Sequence, residues 1–145
     1  MTTVNQLLNK KKEQHEVFSV NPSTLVIDAL QLMSDKNIGV VVVLEHDKLV
    51  GIFSERDYAR KGVIQGRQAA TTHISDVMTS NVFTVTREKT IRDCMSLMST
   101  HKFRHLPVMD GEAVVGVLSI SDIVTQIISE QKEHIQYLES YISGS

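Results

Sequence analysis

Residues 17–57 read VFSVNPSTLVIDALQLMSDKNIGVVVVLEHDKLVGIFSERD, and residues 82–122 read VFTVTREKTIRDCMSLMSTHKFRHLPVMDGEAVVGVLSISD. At a shift of 65 positions the two align without a gap. The pairs include Val17/Val82, Phe18/Phe83, Asp28/Asp93, Met33/Met98, Val43/Val108, Gly51/Gly116, Ser54/Ser119 and Asp57/Asp122. In all, 12 of 41 positions are identical, where unrelated segments give about three at ordinary residue frequencies. Many mismatches are conservative, such as Val26/Ile91 and Ile52/Val117. The chain is therefore an internal duplication, and the fold has to be read one copy at a time.

Each copy carries the same order of signals. Val17–Val20 is a short β-branched and aromatic run. The turn Asn21-Pro22-Ser23-Thr24 follows it. Val26, Ala29, Leu30 and Met33 then recur at helical spacing, as do Ile91, Cys94, Met95 and Met98 on a helix expected over 86–100. Val40–Leu44 is a continuous apolar run, short enough to be a strand buried on both faces. Polar residues 45–48, or Asp110-Gly111-Glu112 in the second copy, predict a tight turn into a second strand, Leu49–Phe53. A helix is expected to start near Ser54 and near Ser119. The unit is β-α-β-β-α, and the fold class is mixed α/β (α+β). Neither copy alone offers much core, so the two are expected to pack sheet to sheet as one domain.

Segment 62–81 joins the copies and is partly irregular by its Gly62, Gly66, Thr71 and Thr72. Beyond residue 122, Ile123, Ile127, Ile128, Ile135, Leu138 and Ile142 predict a helix that runs past the core. Its apolar stripe needs cover, either from a second subunit or by folding back on its own domain. Val4, Leu7 and Leu8 predict a similar outlying helix at the N-terminal end.

Composition narrows the function classes. The 145 residues carry 41% hydrophobic and 22% charged side chains and a net charge of −2. That is a globular composition with no global pull toward nucleic acid or membrane. Basic residues cluster only at Lys10-Lys11-Lys12. No run approaches the roughly 20 apolar residues of a membrane span. The first residues show no signal-peptide core, so a cytoplasmic location is the expectation. The single cysteine, Cys94, leaves no intrachain disulfide and sits on an apolar helix face, as a core thiol does. There is no Walker loop and no Gly-x-Gly-x-x-Gly. His101 and His105 stand four apart, but the run from Phe103 reads as extended and nothing nearby completes a metal set.

The motifs Gly51-Ile-Phe-Ser54-Glu-Arg-Asp57 and Gly116-Val-Leu-Ser119-Ile-Ser-Asp122 resemble the ribose-binding signature of CBS (cystathionine-β-synthase-type) modules. Arg104-His105-Leu106-Pro107-Val108 looks like that family's central strand, and Ile74-Ser75-Asp76-Val77-Met78 like its usual approach to a second repeat. The whole is similar to small stand-alone bacterial CBS-pair proteins. The resemblance implies one CBS-pair domain over 1–145, with repeats at 15–65 and 74–130 packed about a pseudo-twofold axis and a helical tail at 131–145.

It also implies a ligand and a site. An adenine nucleotide or adenosyl compound is expected between the repeats: AMP first, then ADP, ATP or NAD. Ser54 and Asp57 sit where a strand runs into a helix, beside amides that a first turn leaves unpaired. A carboxylate there accepts from ribose hydroxyls, and the helix start favours an anion. Gly51 is expected to let strand and ligand approach closely. The same Ser-x-x-Asp spacing is also that of a helix capping box, and the two roles are compatible. Ser119 and Asp122 repeat the arrangement.

Only the second copy brings cations to its central strand: Lys102, Arg104 and His105, against Asn37, Gly39 and Val40. By the resemblance, these face Asp57 of the other copy and meet the phosphate, with Arg56 within reach. Val17, Phe18 and Val41, or their counterparts, are expected as apolar walls for the base. The expected function is regulatory and not enzymatic: binding shifts the packing of repeats or of the subunits of a homodimer, and a separate regulated enzyme reads the state. The alternative is a ligand-independent dimerisation or interaction scaffold whose Ser-x-x-Asp pairs are only caps. No nucleic-acid or membrane partner is expected, and no catalytic cofactor.

Overall fold

The computed structural model describes residues 2–10 and 16–143. Lys11 and Lys12 of the basic run, and the expected start of repeat 1 at residue 15, lie outside them. The chain opens with helix α1 (Val4–Lys10). Repeat 1 follows as β1 (Ser19–Val20), α2 (Val26–Lys36), β2 (Val40–Glu45), β3 (Lys48–Ser54) and a short helical turn α3 (Glu55–Asp57). That turn widens into π-helix over Tyr58–Val63. Repeat 2 is β4 (Val85–Thr86), α4 (Ile91–His101), β5 (His105–Asp110), β6 (Ala113–Ser119) and the long helix α5 (Ile120–Ile142). No helix among the described residues is long and apolar enough to cross a membrane.

The two three-stranded sheets have one topology. β1 pairs parallel with β2 and β2 antiparallel with β3, as β4, β5 and β6 do in the second copy. Each antiparallel ladder slips by one residue at the same place, after Val43 in one and after Val108 in the other. The central strands are buried on both faces, which their unbroken apolar runs require. The tight turns are held by left-handed residues, His46 and Asp47 in one copy and Gly111 in the other. Helix α4 starts at Ile91, later than residue 86, because Thr90 and Asp93 form a capping box there.

One difference between the copies follows from a single residue. The Val42 amide donates to Phe18 O at 3.1 Å and ties β1 to β2. Its counterpart, Pro107, has no N–H to give. The parallel pairing of β4 accordingly begins one position later, at Val85, and Phe83 is not tied down. Its ring stacks instead on His101 at 4.1 Å and Phe103 at 5.3 Å.

The sheets touch through β3 and β6, and each repeat has its own core. The core of repeat 1 joins α2, β2 and β3 to Ile74 and Val77 of the linker. The core of repeat 2 joins α4, β5, β6 and Ile123 to Val4, Leu7 and Leu8. Helix α1 is therefore not outlying. Residues 4–8, ahead of β1, complete the core of the second sheet, and Ile74 and Val77, ahead of β4, complete the core of the first. This exchange compensates for the small core of each unit. Burying three aliphatic side chains of α1 is worth about 1.5–3 kcal/mol each.

The glycines of the two motifs serve that exchange. A Cβ on Gly51 would lie 2.6 Å from Met78 Sδ and 3.0 Å from Thr79 O; one on Gly116 would lie 2.8 Å from Leu8 Cδ2. The expectation that Gly51 makes room for a ligand is corrected: the residue it admits is Met78.

Candidate functional site

A hollow of about 540 Å³ opens between the repeats. Repeat 1 contributes Val40, Ile52, Ser54, Arg56, Asp57 and Arg60; repeat 2 contributes Lys102, Phe103, Arg104 and His105. Its volume falls in the range of about 300–1,000 Å³ usual for small-molecule sites. A smaller hollow, about 190 Å³, is lined by Val17, Phe18, Ile38, Val40, Ser119, Asp122, Val117 and again His105. The two are pseudo-twofold mates. Shifting Ile38, Gly39 and Val40 by 65 gives Phe103, Arg104 and His105, and Ile52, Ser54 and Asp57 shift onto Val117, Ser119 and Asp122. Val40 and His105 line both hollows.

The first hollow thus gathers Ser54, Arg56, Asp57, Lys102, Arg104 and His105, while Val17, Phe18, Ser119 and Asp122 stand around the second. Val41 lines neither; it points into the core, and Val40 is the wall residue. Val82 and Phe83, the counterparts of Val17 and Phe18, do not line the larger hollow. Phe103 supplies its aromatic surface. Sequence reading missed Phe103, because simple alternation would turn it away from Arg104, whereas the left-handed Lys102 that ends α4 lets all three line one hollow. It also missed Thr79, which no local motif links to Asp57.

Both Ser-x-x-Asp pairs are complete capping boxes. Asp57 Oδ2 accepts from the Ser54 amide at 3.0 Å and hydroxyl at 3.0 Å, while the Asp57 amide donates to Ser54 Oγ at 3.1 Å. Asp57 Oδ1 accepts from the Thr79 hydroxyl at 3.1 Å and lies 3.6 Å from Lys61 Nζ. Lys61 also donates to Thr79 Oγ1 and Met78 O, both at 3.3 Å. Amides expected to be unpaired are engaged: that of Glu55 donates to Gly39 O at 3.2 Å, and that of Ile120 to Arg104 O at 2.8 Å. The α-helical turn at Ser54 is three residues long and continues as π-helix. Cationic side chains add positive potential to this hollow.

Asp122 keeps the capping bonds to Ser119, at 3.0 and 3.1 Å. Its surroundings differ. Gln126 stands where repeat 1 has Lys61, and bonds Thr2 at 3.3 Å and Lys10 at 3.4 Å. A third box, Thr90–Asp93, has the same chemistry and lines neither hollow. The box by itself is structural; the setting distinguishes Asp57.

Charge separates the two hollows. Arg56, Arg60, Lys102 and Arg104 outnumber Glu55 and Asp57 in the larger one. Among the described residues, Glu16 and Asp122 are the charged groups that line the smaller one beside His105. An anionic group is favoured in the first. Between them, His105 is half-buried. Burial, and then Arg104, lower its pKa below the ordinary histidine value, and Asp57 partly offsets this. Cys94 is fully buried, and burial raises its thiol pKa to about 11, the state of an inert core thiol. A larger recess, about 830 Å³, is an open cleft where α1 and α4 meet α5, lined by Arg92, Glu130, Glu133 and His134. It takes none of the expected site residues.

A family model for the CBS domain matches residues 13–63 and again residues 74–129. The mitochondrial CBS domain-containing protein CBSX3 of Arabidopsis thaliana is 39% identical over 124 residues, covering 82% of this chain and 60% of that protein. The chain therefore spans less than two thirds of that relative. The CBS domain-containing protein YhcV of Bacillus subtilis is 29% identical over 116 residues, or 80% of this chain and 82% of the other. Among solved structures, a candidate signal-transduction protein with CBS domains from Burkholderia ambifaria superposes with a TM-score of 0.84 at 40% identity. That match covers 90% of this chain and 96% of the other.

Proposed function

The chain belongs to the CBS-domain family, whose paired repeats are regulatory modules, and on that premise we propose that it senses an adenine nucleotide, AMP foremost, in the hollow beside Asp57. The observation that carries this reading is the placement of Lys102, Arg104 and the Phe103 ring from repeat 2 across from Asp57, Arg56 and Arg60 of repeat 1. The phosphate would meet Lys102, Arg104 and Arg56 through charge-assisted bonds. The ribose hydroxyls would be offered Asp57 Oδ1 and the Thr79 hydroxyl. The base would lie against Phe103, Val40 and Ile52. The site has contributions from both repeats, so occupancy would change how they pack. That change is bounded by the ligand's differential affinity for the two arrangements. The module would act as a homodimer and pass its state to a separate protein.

A melting screen with AMP, ADP, ATP, NAD and S-adenosylmethionine tests this. At about 100 times its dissociation constant, a ligand adds about 2.7 kcal/mol, which raises the melting temperature by several degrees in a chain of this size. No shift with any of them at saturating concentration would refute nucleotide sensing. It would favour the scaffold reading, for which the exposed apolar residues of α5 are the supporting observation. Retention of AMP binding in Asp57→Ala together with its loss in Asp122→Ala would move the site to the smaller hollow.

A further inference from the structure

Helix α5 runs well past the body of the protein. Ile120, Ile123 and Ile127 face the core of repeat 2, but residues 131–143 are exposed all round. An isolated helical arm of that length is marginal in water. Along it, Val124, Ile128, Gln131, Ile135, Leu138 and Ile142 are spaced four, three, four, three and four apart. This is the alternation of a coiled-coil seam, not of a helix covering a globular core. The seam lies about 100° around the helix from the core-facing stripe. Its apolar members are exposed already beside the body, where Ile128 is 47% accessible, and remain so at the far end, where Ile142 is 82% accessible.

We propose that α5 pairs with α5 of a second copy as a parallel, in-register, two-stranded coiled coil along this seam. This specifies the homodimer of the preceding section and rests on that part of it. β-Branched residues at one set of seam positions (Ile128, Ile135, Ile142) favour two strands. Gln131 occupies the other set, where only an identical Gln directly across gives its amide a partner inside the seam. In the same register, His134 of one helix flanks Glu139 of the other, an attractive pair whenever the imidazole is charged. An antiparallel pairing of the arms would leave Val124 and Ile128 uncovered and set Gln131 against Ile142. The parallel pairing covers all six positions over about 27 Å.

Sedimentation velocity on the full chain tests the proposal. The wild type is expected to be a dimer. Ile135→Lys combined with Leu138→Lys is expected to weaken association about 100-fold or more. Both sites are exposed in the single chain, so the melting profile of the body should persist. Tyr137→Lys, off the seam, should associate like wild type. Ile142→Cys should form an intersubunit disulfide on oxidation, because parallel pairing places the two residues side by side. The antiparallel alternative separates them by about 16 Å. Undiminished dimerisation of the double lysine variant would overturn the proposal and leave the homodimer reading standing. A monomeric wild type would overturn both. A dimer in which Ile142→Cys does not cross-link would overturn the parallel arrangement. Nucleotide sensing is read separately, by AMP binding to the double lysine variant, because its altered residues line neither hollow.

Discussion

Gly51→Ala and Gly116→Ala are the same substitution at equivalent positions, and the structure predicts unequal costs. At Gly51 the new methyl would stand 2.6 Å from Met78 Sδ and 3.0 Å from Thr79 O. The sulfur can swing aside. The carbonyl cannot, because Thr79 exchanges two backbone bonds with Ile52, at 2.8 and 2.9 Å, and its hydroxyl holds Asp57. At Gly116 the close neighbour is Leu8 Cδ2, at 2.8 Å, the far end of a side chain that can change rotamer. Overpacking a fixed neighbour costs about 1–3 kcal/mol, and replacing Gly by Ala returns about 0.4–1 kcal/mol through the unfolded state. Gly51→Ala should therefore lower the melting temperature by roughly 2–8 °C, and Gly116→Ala should stay within about 2 °C of wild type. Calorimetry of the ligand-free proteins is the assay. Equal shifts in the two variants, or a stabilised Gly51→Ala, would refute the role given to Met78 and Thr79. A glycine kept only for ligand approach would leave ligand-free stability unharmed and weaken binding alone.

Two further outcomes follow from the charges around the larger hollow. Arg104→Ala should weaken AMP about 10–100-fold, the loss of one charge-assisted bond, and adenosine far less; titration calorimetry with both ligands would show equal losses if Arg104 did not meet the phosphate. His105 has a lowered pKa in the folded chain, so the unfolded chain binds the proton first as pH falls. Stability is thus lost below about pH 6.5, the unfolded value, down to the folded pKa. His105→Gln should flatten that part of a melting-temperature profile, and an unchanged slope would show that another group sets it.

The repeat, the order of elements and the central strands were legible because periodicity and duplication are local properties of the sequence. The exchange of α1 and the linker between the repeats was not legible. Val4, Leu7 and Leu8 announce a helix, but nothing local says that its core belongs to residues 85–123. The same limit hid Thr79, whose bond to Asp57 spans the linker. Comparing the copies position by position singled out Lys102, Arg104 and His105 as present in one copy only, while their place near Asp57 came from the family resemblance. The fate of Phe83 depended on Pro107, a residue that reads as an ordinary member of its strand until the missing amide is counted. At Ser54 the capping box that the motif encodes engages the Ser54 and Asp57 amides, and Gly39 O, remote in sequence, engages that of Glu55.

The most direct test of nucleotide sensing beside Asp57 is an AMP titration followed by amide chemical shifts on the uniformly labelled chain. The account predicts saturable shifts centred on Ser54–Asp57 and Lys102–His105, with one nucleotide bound per chain. Shifts centred instead on Val17, Phe18 and Ser119–Asp122, or no saturable shifts at all, would contradict it.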